Sequence, residues 1–123
     1  MEPFKPRNYG KRGPEKKVQE SVEGMLRKKG WFVMRTHGNM WQSGFPDDFA
    51  THSRYGQRWV EIKLPEGKGS KFTPAQMEDF PKLCANGSGV WILTGGTEEE
   101  YKKLFCPPNW YTYLSIWRKG HYG

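Results

Sequence analysis

The stretch Trp59-Val60-Glu61-Ile62-Lys63-Leu64 constrains the fold of this chain more than any other. Apolar and charged residues alternate along it, and successive side chains of a strand point to opposite faces. Val60, Ile62 and Leu64 therefore point one way, and Glu61 and Lys63 the other. Upstream, Gly44-Phe45-Pro46-Asp47 leads into a second strand-like run, Asp47-Asp48-Phe49-Ala50-Thr51. If the two runs pair as a hairpin around Ser53-Arg54-Tyr55-Gly56-Gln57, then Asp47, Glu61 and Lys63 converge. Two carboxylates on adjacent strands repel each other, and a hard divalent cation such as Mg2+ relieves that repulsion. A lysine beside them can orient a water or neutralise charge on a phosphate.

The elements around this hairpin follow from local signals. Pro14 suits a first helical turn, and Glu15 to Lys29 carries Val18, Val22, Met25 and Leu26 at helical spacing, ended by Gly30. At about 100° per residue, Glu15 and Gln19 share the side of that stripe. Glu20 falls opposite, and Glu23 at the margin. Glu15 also stands where an acid stabilises the helix dipole. Trp31 to Thr36 reads as a strand, and His37 to Ser43 as a loop beside the hairpin whose Met40 and Trp41 can wedge against unstacked bases or pack under the loop. Pro65 to Lys71 is a Gly/Lys loop without phosphate-loop spacing, although Lys68 and Lys71 suit a phosphodiester backbone. Thr73-Pro74-Ala75-Gln76 is a capping box that starts a second helix with Phe80, Leu83 and Cys84 on its buried side. Pro81 should kink or interrupt that helix.

Gly89 to Thr94 reads as a buried strand. Thr97 caps a short helix through Phe105, stopped by Pro107-Pro108. The tail from Trp110 to Trp117 is apolar on both faces, which leaves strand, helix and subunit interface open.

At 123 residues the chain makes one domain, predicted over 14–123, preceded by a flexible basic arm over 1–13 that carries Lys5, Arg7, Lys11 and Arg12. Lys and Arg number 20 against 13 Asp and Glu, a formal charge of +7 that suits a polyanionic partner. Arg35 and His37 join the arm, Lys68 and Lys71 as candidate nucleic-acid contacts. Cys84 and Cys106 have no zinc spacing and read as two free thiols in a reducing compartment. No apolar run approaches a membrane span and no signal-peptide pattern opens the chain, so a cytoplasmic location is expected.

Pro46-Asp47, a gap, and Glu61-Ile62-Lys63 resemble the PD-(D/E)xK nuclease superfamily. Within it the chain is most similar to the VRR-NUC family and its Holliday-junction-resolving relatives. The resemblance runs from about Glu15 to Leu93. It covers the Gly-x-Pro-Asp turn, the Glu-x-Lys strand, Glu15 and Gln19 at the family's helical spacing, and Gln76 at its second helix. Archaeal-type resolvases would instead suggest an acid nearer Glu20, which the helical angle turns away from the sheet.

The resemblance implies an α/β fold of order α-β-β-β-α-β, like that of restriction endonucleases, with a mixed sheet between helices. It implies Mg2+ or Mn2+ held by Asp47, Glu61 and the Ile62 carbonyl, with Glu15 binding directly or through water. Lys63 would orient the attacking water, and Gln76 would stand near the metal. It further implies a DNA endonuclease acting on branched DNA, specifically four-way junctions, as a homodimer in a bacterial or phage-infected cell. Two other classes fit the same residues: a DNA-trimming nuclease of exonuclease type, and a DNA-binding module with an inactive site.

Overall fold

The computed structural model describes residues 13–36, 44–65 and 71–117, with side chains to residue 114. Helix α1 (Pro14–Lys28) is followed by β1 (Phe32–Arg35), β2 (Asp48–His52) and β3 (Gly56–Ile62). Helix α2 (Pro74–Ala85) then leads to β4 (Val90–Leu93), α3 (Glu98–Lys102) with a 3-10 turn to Phe105, and α4 (Trp110–Trp117). The expected α/β order α-β-β-β-α-β is the order found. The four strands form one mixed sheet, ordered β1-β2-β3-β4, with β1–β2 and β2–β3 antiparallel and β3–β4 parallel.

The hairpin register pairs Asp48 with Val60 and Phe49 with Trp59. One step further, beyond the last ladder pair, Asp47 stands opposite Glu61. Strand β3 begins at Gly56, three residues earlier than the alternation suggests. Gly56 has φ +84°, a left-handed conformation that turns the chain sharply enough for pairing to begin at once.

Alternation sorts the sheet into two cores. Val33, Ala50, Val60, Ile62, Trp91 and Leu93 face α1, whose Val22 and Leu26 are fully buried against them. Val90 and Ile92 face the other way and pack with Phe72, Phe80 of α2 and Trp110 of α4. Helix α2 is capped as expected: Thr73 accepts the Gln76 N–H, and the Gln76 side chain accepts the Thr73 N–H.

Two expectations change, and one open choice is resolved. Helix α2 is not interrupted at Pro81. Proline removes one helical donor, and here the capping box before it and the buried Phe80 beside it hold the helix together. Glu23 is not marginal but buried, because Arg35 on β1 meets it with a two-pronged ion pair. The apolar tail resolves into a helix that closes the second core, with Trp110 only 2% exposed and Tyr113 and Leu114 packed on that core. Just before it, the Asn109 amide bonds both the N–H and the carbonyl of Ile92, giving the outer edge of β4 a partner.

No helix among the described residues is long and apolar enough to cross a membrane. Lys5, Arg7, Lys11, Arg12, His37, Lys68, the loop with Met40 and Trp41, and the side chains of Ile116 and Trp117 lie outside the described residues.

Candidate active site

Asp47, Glu61, Lys63 and Gln76 come together at the end of the β2–β3 ladder, on the sheet face that α2 covers. The Asp47 side chain accepts the Ile62 N–H at 2.7 Å, taking over where the strand ladder stops. The Asp47 N–H donates to Glu61 Oε1 at 3.0 Å. The turn before them is held from the residue after β1, where the Thr36 hydroxyl donates to the Pro46 carbonyl at 2.7 Å and the Thr36 N–H to the Asp47 carbonyl at 2.9 Å. Gly44 packs closely on α2: a Cβ there would displace the Asp79 carboxylate and press on the Ala75 carbonyl at 3.1 Å.

Glu61 and Lys63 are both buried, which is costly for charged groups unless each is paired. Lys63 Nζ lies 3.2 Å from Glu61 Oε2, donates to the Lys71 carbonyl at 2.8 Å and reaches Gln76 Oε1 at 3.5 Å. These contacts account for the three donors of an ammonium. The same Glu61 oxygen accepts from Gln76 Nε2 at 2.9 Å. Gln76 therefore caps α2 with its oxygen and steadies Glu61 with its nitrogen. The longest of the Lys63 contacts, to Gln76, is the one most readily exchanged for a water or a phosphate oxygen.

The donors gathered here are all oxygen: two carboxylates and, beside them, the Ile62 carbonyl. The N–H and carbonyl of one strand residue point to the same edge. Since the Ile62 N–H meets Asp47, its carbonyl opens towards the same end of the ladder. Among the described residues no three His, Cys, Asp or Glu side chains gather into a metal cluster. A site with two carboxylates suits Mg2+, which keeps several waters and relies on few protein ligands. The residues therefore fit the ion that the resemblance implies.

Across the sheet lies a second group of polar residues that sequence reasoning did not find. Asp48 neighbours Asp47 in the chain but points to the opposite face, towards α1. It is fully buried, and Gln19 Nε2 donates to its Oδ1 at 3.3 Å. Burial, reinforced by a hydrogen bond with Glu23 and by the charges of Glu23 and Asp47, pushes the Asp48 carboxyl up to about 10, while the Gln19 amide opposes the rise. Among the described residues no donor reaches Asp48 Oδ2, so a proton on this carboxyl both removes a buried charge and supplies a donor towards Glu23. Arg35 balances Glu23, its Nε 2.8 Å from Oε2 and its Nη2 2.9 Å from Oε1, and the ion pair raises the Arg35 pKa. The alternation rule separates Asp47 from Asp48, and the helical stripe puts Gln19 inward. Those two signals together point to this cluster.

This cluster has a pH signature. The folded protein keeps a proton on Asp48 that the unfolded chain releases above its ordinary value of 3.8. Between there and about 10 the folded state binds more protons, so stability falls as pH rises. Asp48→Asn replaces the hydroxyl donor with an amide donor and carries no proton to lose. In EDTA its Tm should exceed that of the wild type by about 5 °C or more at pH 8, with the gap narrowing towards pH 5. A gap that stays constant in thermal melts across this range would contradict a protonated Asp48.

The remaining candidates are placed as follows. Glu15 is half-buried in the first turn of α1, on the helix covering the face opposite α2. Glu20 is exposed, as its helical angle requires. The guanidinium of Arg35 is engaged by Glu23, and Lys71 is exposed beside the Lys63 ammonium. His52 accepts the Arg54 N–H at 3.0 Å and packs against Trp31, a structural arrangement. No family model, curated protein or solved structure matches the chain.

Proposed function

We propose that the protein is a metal-dependent nuclease of the PD-(D/E)xK type that hydrolyses phosphodiester bonds in DNA. One observation carries this reading: Asp47, Glu61, Lys63 and Gln76 converge at the end of one hairpin, which among the described residues brings two carboxylates and an ammonium together. Buried charge of this kind is expensive to keep for stability alone. The net charge of +7 supports a polyanionic substrate.

Asp47, Glu61 and the Ile62 carbonyl would hold Mg2+ or Mn2+, with Glu15 of α1 as a further ligand, directly or through water. When bound, the ion supplies neutralisation of phosphate charge and a lowered pKa for water. Lys63 would exchange its long contact to Gln76 for a hydrogen bond to the attacking water, holding it in line with the scissile bond. Gln76 keeps Glu61 oriented while Lys63 moves. Lys71, exposed beside Lys63, would meet the phosphodiester backbone.

Within this reading the substrate is branched DNA, specifically a four-way junction cut by a homodimer in the cytoplasm of a bacterial or phage-infected cell. Trp110 is buried and Tyr113 and Leu114 pack partly on the second core, so among the described tail residues Tyr111, 60% exposed, is the aromatic side chain most available to a dimer surface. The reading is tested with a labelled four-way junction, a matched duplex and single strands, each incubated with Mg2+, alongside light scattering of free and junction-bound protein. Paired nicks in the junction by a species of twice the chain mass are expected. Progressive shortening of linear DNA by a monomer would favour the trimming nuclease, and binding without any cut the inactive module.

The role of α1 has its own test. Glu15→Gln should lower cleavage strongly, whereas Glu20→Gln, exposed and facing away, should leave both cleavage and stability nearly unchanged. A sensitive Glu20 in a single-turnover assay would mean that the acid comes from the wrong face of the helix.

A further inference from the structure

The sheet face that carries Asp47 and Glu61 also carries aromatic rings at the same two-residue rhythm. Phe49 lies two residues after Asp47, Trp59 two before Glu61, and Phe45 two before Asp47. Phe49 and Trp59 are direct partners across the ladder, with ring centroids 5.0 Å apart. Trp59 also stacks with Phe45, centroids 5.8 Å apart and planes at 28°. The series continues onto β1, where Met34 pairs with Phe49. Among the described residues helices α2 and α4 pack against β4, and Trp59 packs partly on the second core. Phe45 is 41% exposed, Met34 53% and Phe32 61%.

Next to Phe45 the surface deepens into a cleft of about 330 Å³ between the Gly44-Phe45 turn and α2, lined also by Asp79, Lys82, Leu83 and Asn86. Its walls combine a ring, an aliphatic side chain, a carboxylate, an amide and an ammonium. Asp79 and Asn86 stand one and three turns past Gln76 on or just after the same helix. The cleft is thus a direct neighbour of the candidate active site.

We infer that the ring series Phe45–Trp59–Phe49 and the adjoining cleft form a stacking site for unpaired nucleobases flanking the scissile phosphate. The inference rests on the nuclease reading and narrows its substrate to DNA that is single-stranded on at least one side of the cut, as at the opened centre of a branch. Open β-sheet faces bearing aromatic rings bind single strands by stacking, while duplex bases offer no free ring faces. A backbone crossing Asp47 and Glu61 would lay its neighbouring bases on the rings two residues away along either strand. A base on Phe45 would present its edge to the Asp79 carboxylate and to the amide oxygen of Asn86, whose nitrogen donates to the Lys82 carbonyl at 2.8 Å, two acceptors for a base's N–H groups. Lys82, exposed at the rim, would meet the next phosphate. The formal charge of +7 favours such a polyanion over a second copy of this basic chain.

The test uses full-length protein in EDTA, so that binding is read without cleavage. Fluorescence anisotropy compares a short single strand, the same strand made abasic throughout, and a matched duplex. The wild type is expected to bind the base-bearing strand about tenfold tighter than the abasic one. Phe45→Ala should lose that preference, and Phe45→Trp should keep it. Phe45 is partly exposed and outside both cores, and thermal melts confirm that each variant is folded.

Equal binding of both strands by Phe45→Ala and wild type overturns the inference. So does light scattering in which Phe45→Ala turns a dimer into a monomer, because a second copy then covers the rings. If the wild type cleaves DNA with Mg2+ but ignores the bases, the inference alone fails. If it neither binds nor cleaves any DNA, the nuclease reading fails and takes the inference with it.

Discussion

Asp47→Asn and Glu61→Gln are each expected to abolish DNA cleavage, lowering the rate by at least about 10²–10³-fold, while DNA binding stays intact or tightens. Each change preserves shape and removes one negative charge from the place where a cation must be held. Losing that charge also weakens repulsion of the phosphate, hence the tighter binding. Asp47→Asn is the cleaner of the two, because the amide's carbonyl oxygen can still accept the Ile62 N–H that Asp47 takes at 2.7 Å. Glu61→Gln meets a conflict: Asp47 N–H approaches one end of the side chain, and the Gln76 amide and Lys63 ammonium approach the other. All are donors, and an amide has only one oxygen to offer. The Glu61→Gln variant should therefore lose some stability as well as activity. Gel assays at saturating protein separate the two effects, and wild-type cleavage by the Asp47→Asn variant would remove the metal role from Asp47.

The second large effect concerns stability. Lys63→Met in EDTA should destabilise the fold by about 3 kcal/mol or more, because it removes the ammonium that pairs with the fully buried Glu61 carboxylate at 3.2 Å. Met fills much of the same space beside Phe72, whose ring the ammonium overlies at 5.0 Å. Combining Lys63→Met with Glu61→Gln removes both charges together. The double variant should be less destabilised than the sum of the single ones by about 1–3 kcal/mol. Urea unfolding of the wild type, the two single variants and the double variant measures this coupling. Strict additivity would mean that the two groups do not sense each other and that the convergence of charge is illusory.

The legible parts of this fold were those governed by a strict local period or by a cap. Period two places Glu61 and Lys63 on one face and carries Asp47 opposite Glu61 once the hairpin closes. The capping box fixes the start of α2 and with it the position of Gln76. The 3.6-residue stripe turns Glu20 outward. What escaped the sequence reading depends on pairs far apart in the chain. Glu23 lies at the edge of its helical stripe, and only the β1 register, twelve residues on, delivers Arg35 to it. Asp48 is a twin of Asp47 in sequence, yet one step along a strand sends it to the other face and to Gln19. The tail from Trp110 has no apolar period of its own, because Trp110 answers to a space shaped by Phe72 and Phe80 rather than to a pattern within the helix.

The most direct test of the central claim is cleavage by the wild-type protein with and without a divalent ion. A labelled four-way junction, a flapped duplex, a linear duplex and a single strand are incubated with Mg2+ or Mn2+, and in parallel with EDTA. Hydrolysis of at least one substrate with the metal and of none with EDTA is the predicted result. Intact DNA in every metal-containing reaction, or equal cutting in EDTA, would contradict it.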